Sequence, residues 1–459
     1  MDRKTILALA AMGLGVFVIA NDITAMNVAV PAIEKDFDAS TTTIQWVVNA
    51  YSLAFGVLIV TGGRLADLFG RREAFFAGAG IFATFSLLGG AAPSEAWLIA
   101  CRGLMGIGGA LMWPAILGMT FALLPENKAG LAGGLILGIA GIGNAIGPML
   151  GGALTEFLSW RWILFLNVPI ALLAILVVYL LIHQPRPETA DRKIDYGGIT
   201  TVTLGLVLFM IALDQVVDYG WGDPRIIIAI IVSAMLLIAF TMIERRSGEH
   251  ALVPEDIFSN SGFRASCFAI LCISATFFGT LFFLPQYMQK EFGYTAFESG
   301  VGLLPFMAIF ALTSFIAGPL YNRLGGKLIV TTGASFIAAG ALFIGLGISN
   351  GGSLTGIIPG MVVLGTGVGL FYSSATTIAV TSVDRSRSSL AGGIIYMFQI
   401  AGGSVGLALT TTIYASQSGL IDGLHAAFRF DFALAFIGFV ITLFFVGGRL
   451  LGGQKQSLD

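Results

Sequence analysis

The chain has 459 residues, of which 56% are hydrophobic and only 11% charged, against about 25% charged in an average globular protein. That composition excludes a water-soluble protein of this length, and a net charge of −2 gives no footing for nucleic-acid binding. The apolar residues fall in blocks of roughly 18 to 28, and at 1.5 Å per residue each block is long enough to cross a hydrocarbon core of about 30 Å.

In chain order the blocks run from Ile6 to Ile33, Thr43 to Gly62, Ala74 to Ala91, Ala96 to Leu123, Gly130 to Leu154, Trp162 to Ile182, Tyr196 to Leu213 and Arg225 to Ile243. Six more run from Gly262 to Met288, Gly300 to Leu320, Leu328 to Ile348, Leu354 to Thr377, Ser389 to Tyr414 and Phe430 to Val446. The reading is an all-α integral membrane protein with about fourteen spans. The first block is too long for a signal peptide, carries Asp22 and is followed by thirteen others, so it is read as an uncleaved helix. Cys101, Cys267 and Cys272 all fall inside spans without a C-x-x-C pair, so no disulfide framework, metal site or cofactor is expected. His183, His250 and His425 sit in loops or at span ends with no nucleophile beside them, so no enzyme is expected.

Orientation follows from the lysines and arginines, which stay on the cytoplasmic side. With Met1 inside, Arg64, Arg71, Arg72, Arg245, Arg246, Arg323, Lys327, Arg385 and Arg387 share that side with most of the others, whereas Lys35, Arg161, Arg225, Lys290 and Arg429 fall outside. Both termini are expected in the cytoplasm of a prokaryotic cell, with the chain in its cytoplasmic or inner membrane. No G-x-x-x-x-G-K-[ST] loop is present to supply an ATP-driven motor.

The chain also aligns with itself. The run from Gly63 to Arg72 matches that from Gly318 to Lys327; Gly106, Gly108 and Leu111 match Gly365, Gly367 and Leu370; and Leu131-Ala132-Gly133-Gly134 matches Leu390-Ala391-Gly392-Gly393. Offsets of about 255, 259 and 259 residues describe one register, equating span n with span n+8. The expected organisation is a six-helix bundle at 1–183, an inserted pair of spans at 184–261, and a second, parallel six-helix bundle with a short cytoplasmic tail at 262–459.

Asp22, near the middle of the first span, is the most informative residue. An ionisable group there costs at least about 2.5 to 3.5 kcal/mol and persists when it faces a cavity or a partner. Such an acid can take a proton from one side of the membrane and release it to the other; alternatively Thr24 or Asn27 holds it permanently neutral. Arg102, inside span four, either serves as a charge partner or reaches out to the headgroups. In span five, Gly143, Gly147, Gly151 and Gly152 leave a face without bulk, and Pro148 removes a backbone hydrogen bond, which suggests close packing with a bend. In the loop after span two, Gly63, Asp67, Gly70, Arg71 and Arg72 suit a latch, with Asp67 capping a helix end and the arginines bridging to carboxylates.

Gly63-x-Leu65-x-Asp67-x-x-Gly70-Arg71-Arg72 resembles the loop signature of the major facilitator superfamily, and Arg102-x-x-x-Gly106-x-Gly108-Gly109 resembles its span-four motif. Gly143-x-x-x-Gly147-Pro148-x-x-Gly151-Gly152 is similar to the span-five motif of its antiporters. The run Asp22 to Pro31, and Ser159-Trp160-Arg161-Trp162 followed by Asn167-Val168-Pro169, resemble the fourteen-span drug/proton antiporters. The resemblance implies proton-coupled export of drugs or amphipathic, often cationic, compounds by alternating access, with Asp22 the proton-linked acid and Arg102 its motif arginine. The chain departs from the pattern at Met105, Leu68 and Asn322, where glutamine, arginine and an acid are common.

For the substrate pocket the polar residues expected to face inward are Asn27, Gln45, Asn49, Tyr51, Gln286, Tyr287, Tyr372, Tyr396 and Gln399. Asp214 is expected at the membrane surface, and no second acid is expected deep in spans nine to fourteen. Expected partners are a small-molecule substrate, protons and the lipid bilayer, with the chain a monomer. An importer, a dedicated metabolite, lipid or siderophore transporter of the same fold, and a non-transporting membrane receptor remain open alternatives.

Overall fold

A bilayer interior offers backbone N–H and C=O groups no water, so a spanning segment must satisfy them within itself. The computed structural model describes residues 3–182, 195–248, 251–349 and 352–447, so His183, His250 and the boundary expected at residues 183 and 184 lie outside the described residues. The described chain is helical with no strand. The helices are α1 (Arg3–Phe37), α2 (Thr41–Phe69), α3 (Arg71–Gly90), α4 (Glu95–Leu123), α5 (Ala129–Phe157), α6 (Arg161–Leu181), α7 (Tyr196–Tyr219) and α8 (Pro224–Ser247). They continue with α9 (Glu255–Ser259), α10 (Ser261–Phe292), α11 (Ala296–Gly302), α12 (Leu304–Leu324), α13 (Gly326–Gly347), α14 (Leu354–Thr381), α15 (Ser388–Ala415) and α16 (Leu420–Phe445).

Fourteen of these are long and apolar enough to cross a membrane; only α9 and α11 are short. The short helices fall where hydropathy alone draws no boundary. The tenth block was expected to start at Gly300, but that residue belongs to α11, which Thr295 opens with a capping box to Glu298. Leu303 separates α11 from α12, which has a proline in its first turn, a position that needs no N–H.

The described residues form two compact units. One comprises those within Met1–Leu123, Gly143–Phe258 and Asp384–Met397; the other comprises those within Leu124–Ile142, Ser259–Val383 and Phe398–Asp459. The division passes through α5 and α15.

Within the first unit α4 meets its neighbours through glycine. A Cβ on Gly106 would lie 2.5 Å from the Tyr51 carbonyl oxygen in α2, and one on Gly108 would lie 2.7 Å from the Gly78 carbonyl in α3. The second unit repeats this: a Cβ on Gly365 of α14 would lie 2.5 Å from the Phe306 carbonyl oxygen of α12, and one on Gly367 would lie 2.7 Å from the Gly333 carbonyl of α13. The repeat read from the sequence is therefore a repeat of close helix approaches.

The late half of α5 lies on α1 by the same device. Gly143, Gly147 and Gly151, one turn apart, face Ala20, Thr24 and Ala25. A Cβ on Gly151 would lie 2.5 Å from the Ala25 carbonyl oxygen and 2.8 Å from its Cα. Gly152 is buried beside them, and α5 runs unbroken through Pro148. Gly151→Ala should lower stability by about 1–3 kcal/mol through overpacking against backbone. Gly80→Ala, in a helix with nothing within 4 Å of the new carbon, should be neutral or gain up to about 1 kcal/mol. Thermal unfolding of both variants in one detergent checks the contrast.

Candidate functional site: a buried ion pair and a capped helix end

Asp22 on α1 and Arg102 on α4 are both wholly buried, and their side chains form an ion pair. Arg102 Nη1 donates to Asp22 Oδ2, and Asn167 Nδ2 of α6 donates to Oδ1 at 2.8 Å. Asn167 also donates to the Ser86 hydroxyl of α3 at 3.2 Å, and Ser86 donates to the Leu164 carbonyl at 2.7 Å. Arg102 Nε donates to the Val47 carbonyl of α2 at 2.8 Å, and its guanidinium lies 4.4 Å from the Tyr51 ring centroid. Five helices thus contribute to one cluster, with α4 and α6 reaching the carboxylate directly.

These contacts settle how Asp22 is held. Thr24 donates to the Ala20 and Asn21 carbonyls, and Asn27, which is exposed, donates to the Ile23 carbonyl, so neither supports the acid. Arg102 turns inward to its counter-ion rather than out to the headgroups. Met105, where glutamine is common, puts its sulfur 3.9 Å from Arg102 Nη1, a weaker acceptor than an amide oxygen. Among the described residues, Arg102 Nη2, the Tyr51 hydroxyl, Asn21 Oδ1 and Asn167 Oδ1 are buried without partners, so the cluster has unused polar capacity around the pair.

The other expected pocket residues fall in both units, and each is described within its own. Tyr396 stacks on Trp113 at 4.5 Å between ring centroids and on Phe55 at 5.4 Å, continuing to Tyr51 at 5.8 Å from Phe55. In the second unit Tyr372 shares a hydrogen bond with Ser274 at 2.8 Å, and the Tyr287 hydroxyl donates to the Ser349 carbonyl at 3.0 Å. Gln399 is buried, Gln286 bonds its own helix at Phe282, and Gln45 is exposed. Asn49 donates to exposed Asp214 at 2.9 Å. Sequence reasoning missed Asn167, Ser86 and Trp113. Asn167 stood in a quoted segment, but nothing local shows that it faces an acid 145 positions away.

The expectation of no deep acid in the last six spans is wrong. Asp431 is wholly buried in the interior of α16. Hydropathy started that span at Phe430 because His425, Arg429 and Asp431 dilute the apolar signal, whereas the helix begins at Leu420.

At the other end of α2, Asp67 accepts the backbone N–H of Leu390 at 2.8 Å and of Ser389 at 3.3 Å, in the first turn of α15. Gly63 allows the approach, since a Cβ there would lie 2.6 Å from the Ser389 carbonyl. Arg71 pairs with Asp67 at 3.1 Å and donates to the carbonyls of Gly118, at 3.0 Å, and Arg385. Gly70, at φ +113°, makes the turn between α2 and α3. Arg72 was expected to bridge to a carboxylate; it donates instead to the Tyr179 carbonyl at 3.1 Å and lies over the Phe76 and Tyr179 rings. Outside the spans, the Ser386 hydroxyl and then its N–H hold the Asp384 carboxyl below the ordinary carboxylate range.

The second unit carries the counterpart in register. Asn322, aligned with Asp67, accepts the N–H of Gly130 at 3.3 Å at the start of α5, and Gly318, aligned with Gly63, sits against the Gly130 carbonyl. An amide oxygen thus caps the helix end that a carboxylate caps in the first unit.

Fourteen membrane-length helices, with an ion pair buried in the first unit, are what a polytopic membrane carrier requires. The chain belongs to the Major Facilitator Superfamily, whose family model matches residues 12–406 and 266–457; it is a multi-pass membrane transporter of a class that acts on small molecules. It is 34% identical over 437 residues to the puromycin resistance protein pur8 of Streptomyces alboniger, covering 94% of this chain and 86% of that protein. It is 31% identical over 414 residues to the tetracenomycin C resistance and export protein of Streptomyces glaucescens, covering 90% and 76%. The structure of the human organic anion transporter MFSD10 matches with a TM-score of 0.70 at 14% identity, covering 96% of this chain and 100% of that one.

Removing one member of a buried pair strands the other charge. Arg102→Leu should therefore cost about 3–5 kcal/mol, and adding Asp22→Asn should recover part of the loss; denaturation in detergent micelles reads both. For the cap, Asp67→Ala should cost about 1–2 kcal/mol, while Asp67→Asn should retain most of it, as Asn322 does. Equal losses from the two Asp67 variants would sink the capping account.

Proposed function

We propose that this protein is a proton-coupled exporter of antibiotics or other amphipathic, often cationic, compounds, working by alternating access, with Asp22 as the coupling acid. The observation that carries the reading is the isolation of Asp22: a wholly buried carboxylate whose charge is met by one buried arginine and one amide. Ionised, it neutralises Arg102. Protonated, it leaves a buried guanidinium short of its counter-ion, held by the Val47 carbonyl and the Tyr51 ring. Loading a proton thus shifts the energy of the whole five-helix cluster by an amount set by an unpaired charge in low dielectric. Discharge of that proton on the other side restores the pair, and the substrate moves in the opposite sense.

The names of the relatives support export of antibiotics, since they are resistance and export proteins. In this reading the chain is not an enzyme, acts as a monomer in the cell membrane with both termini cytoplasmic, and consists of two six-helix halves with α7 and α8 as the inserted pair. Asp67, Gly63 and Arg71 form a cytoplasmic latch on α15, and Gly143, Gly147, Pro148 and Gly151 form the face on which α5 and α1 move.

In proteoliposomes with an imposed pH gradient, wild-type protein should move a fluorescent lipophilic cation or puromycin against its concentration gradient. Asp22→Asn should reduce that uphill transport by about 100-fold or more, since a neutral amide cannot carry the proton. Uphill transport that survives the substitution unchanged removes Asp22 from coupling. Failure of the wild type to move any member of an antibiotic panel, in vesicles and in an efflux-deficient strain, overturns the export reading.

A further inference from the structure

Asp431 lies roughly 17 Å from one end of α16 and 21 Å from the other, the depth at which an ion is most costly in a membrane. Its carboxylate is wholly buried. Thr410 of α15 donates to Oδ1 at 2.8 Å, Thr276 of α10 donates to the Asp431 backbone carbonyl at 2.9 Å, and among the described residues Oδ2 has no partner. Oδ2 faces Gly279 of α10, where a Cβ would stand 2.5 Å from it. The glycine leaves the oxygen a slot with room for no side chain.

No cation answers this acid. Among the described residues it has no ion pair, in contrast to Asp22. On α10 the nearest titratable side chain along the helix is Cys272, one turn from Thr276. On α15 it is Tyr414, one turn beyond Thr410, whose ring lies on Gly423 and Phe283 instead. On α13 it is Lys327, at the start of that helix. On α16 itself Arg429 is exposed, and His425 lies nearly two turns away. A hard metal ion would need several oxygens arranged around it, whereas this site offers one free carboxylate oxygen against a glycine. A proton needs one.

We propose that Asp431 is a second proton-binding site of the transport cycle, carried by the unit that does not contain Asp22, and that in the arrangement described it holds its proton. The reaction is the simple one: carboxylate and hydronium give the neutral acid and water, and the neutral acid costs far less to bury in an apolar slot than the unpaired anion. Release requires α10 and α16 to separate at Gly279 enough for water to reach Oδ2. The inference rests on the proton-coupled reading above, but its first test needs neither a substrate nor transport.

Infrared difference spectra of the purified protein, titrated from about pH 5 to 10, should show a carboxylic C=O band that persists after exposed acids have ionised near pH 4. Asp431→Asn should abolish the band and Asp22→Asn should leave it. A band untouched by Asp431→Asn, or none at all, overturns the proposal while leaving Asp22 and export standing. In proteoliposomes, the substrate gradient that just balances an imposed pH gradient should show about one proton fewer per cycle in Asp431→Asn. A variant with an unchanged balance and a lower rate has lost a structural group only, and the proposal fails. Should that variant not fold, Thr410→Val, which removes the one hydrogen bond the carboxylate has among the described residues, must move the midpoint of the wild-type band by about one pH unit; an unmoved midpoint also overturns it.

Discussion

Hydrocarbon gives a polar group nothing to bond to, and each feature of this protein answers that constraint. The backbone is satisfied inside helices. The helices then gain little from burying leucine against leucine, since lipid is as apolar as they are, so association rests on close contact and on polar groups. Glycine supplies the close contact at Gly106, Gly108, Gly365 and Gly367, where one helix rests on the carbonyls of the next. The polar groups that remain must find each other, and Asp22, Arg102, Asn167 and Ser86 do so across four helices, with the Val47 carbonyl adding a fifth.

The two units meet the constraint with the same parts but different charges. Asp67 and Asn322 cap the starts of α15 and α5 from aligned positions, one with a charge and an arginine beside it, the other with a neutral amide. A carboxylate at a helix N-terminus is the stronger cap, because it also meets the positive end of the helix dipole. In the membrane interior the asymmetry lies in pairing. The acid of the first unit has an arginine, whereas the acid of the second has a threonine. The aligned packing glycines are thus the same in the two units while the ionisable groups differ, and the ionisable groups are where the proposed coupling resides.

The sequence by itself determined the class of protein and marked the glycines that permit close helix approach, because both rest on local chemistry. Hydropathy needs no partner to be read, and a glycine that permits a close approach is visible even when the helix approaching it is not. Asp22 was conspicuous for the same reason, as a charge amid some twenty apolar residues. Tertiary structure alone decided what each polar residue meets. Arg102 and Asn167 reach Asp22 from 80 and 145 positions away, and Arg72 finds a carbonyl rather than a carboxylate. Asp431 shows the limit most sharply. Its polar neighbours in the chain pushed the apparent start of the span onto it, and only the packing of α10 and α15 around α16 reveals a buried acid with one oxygen free.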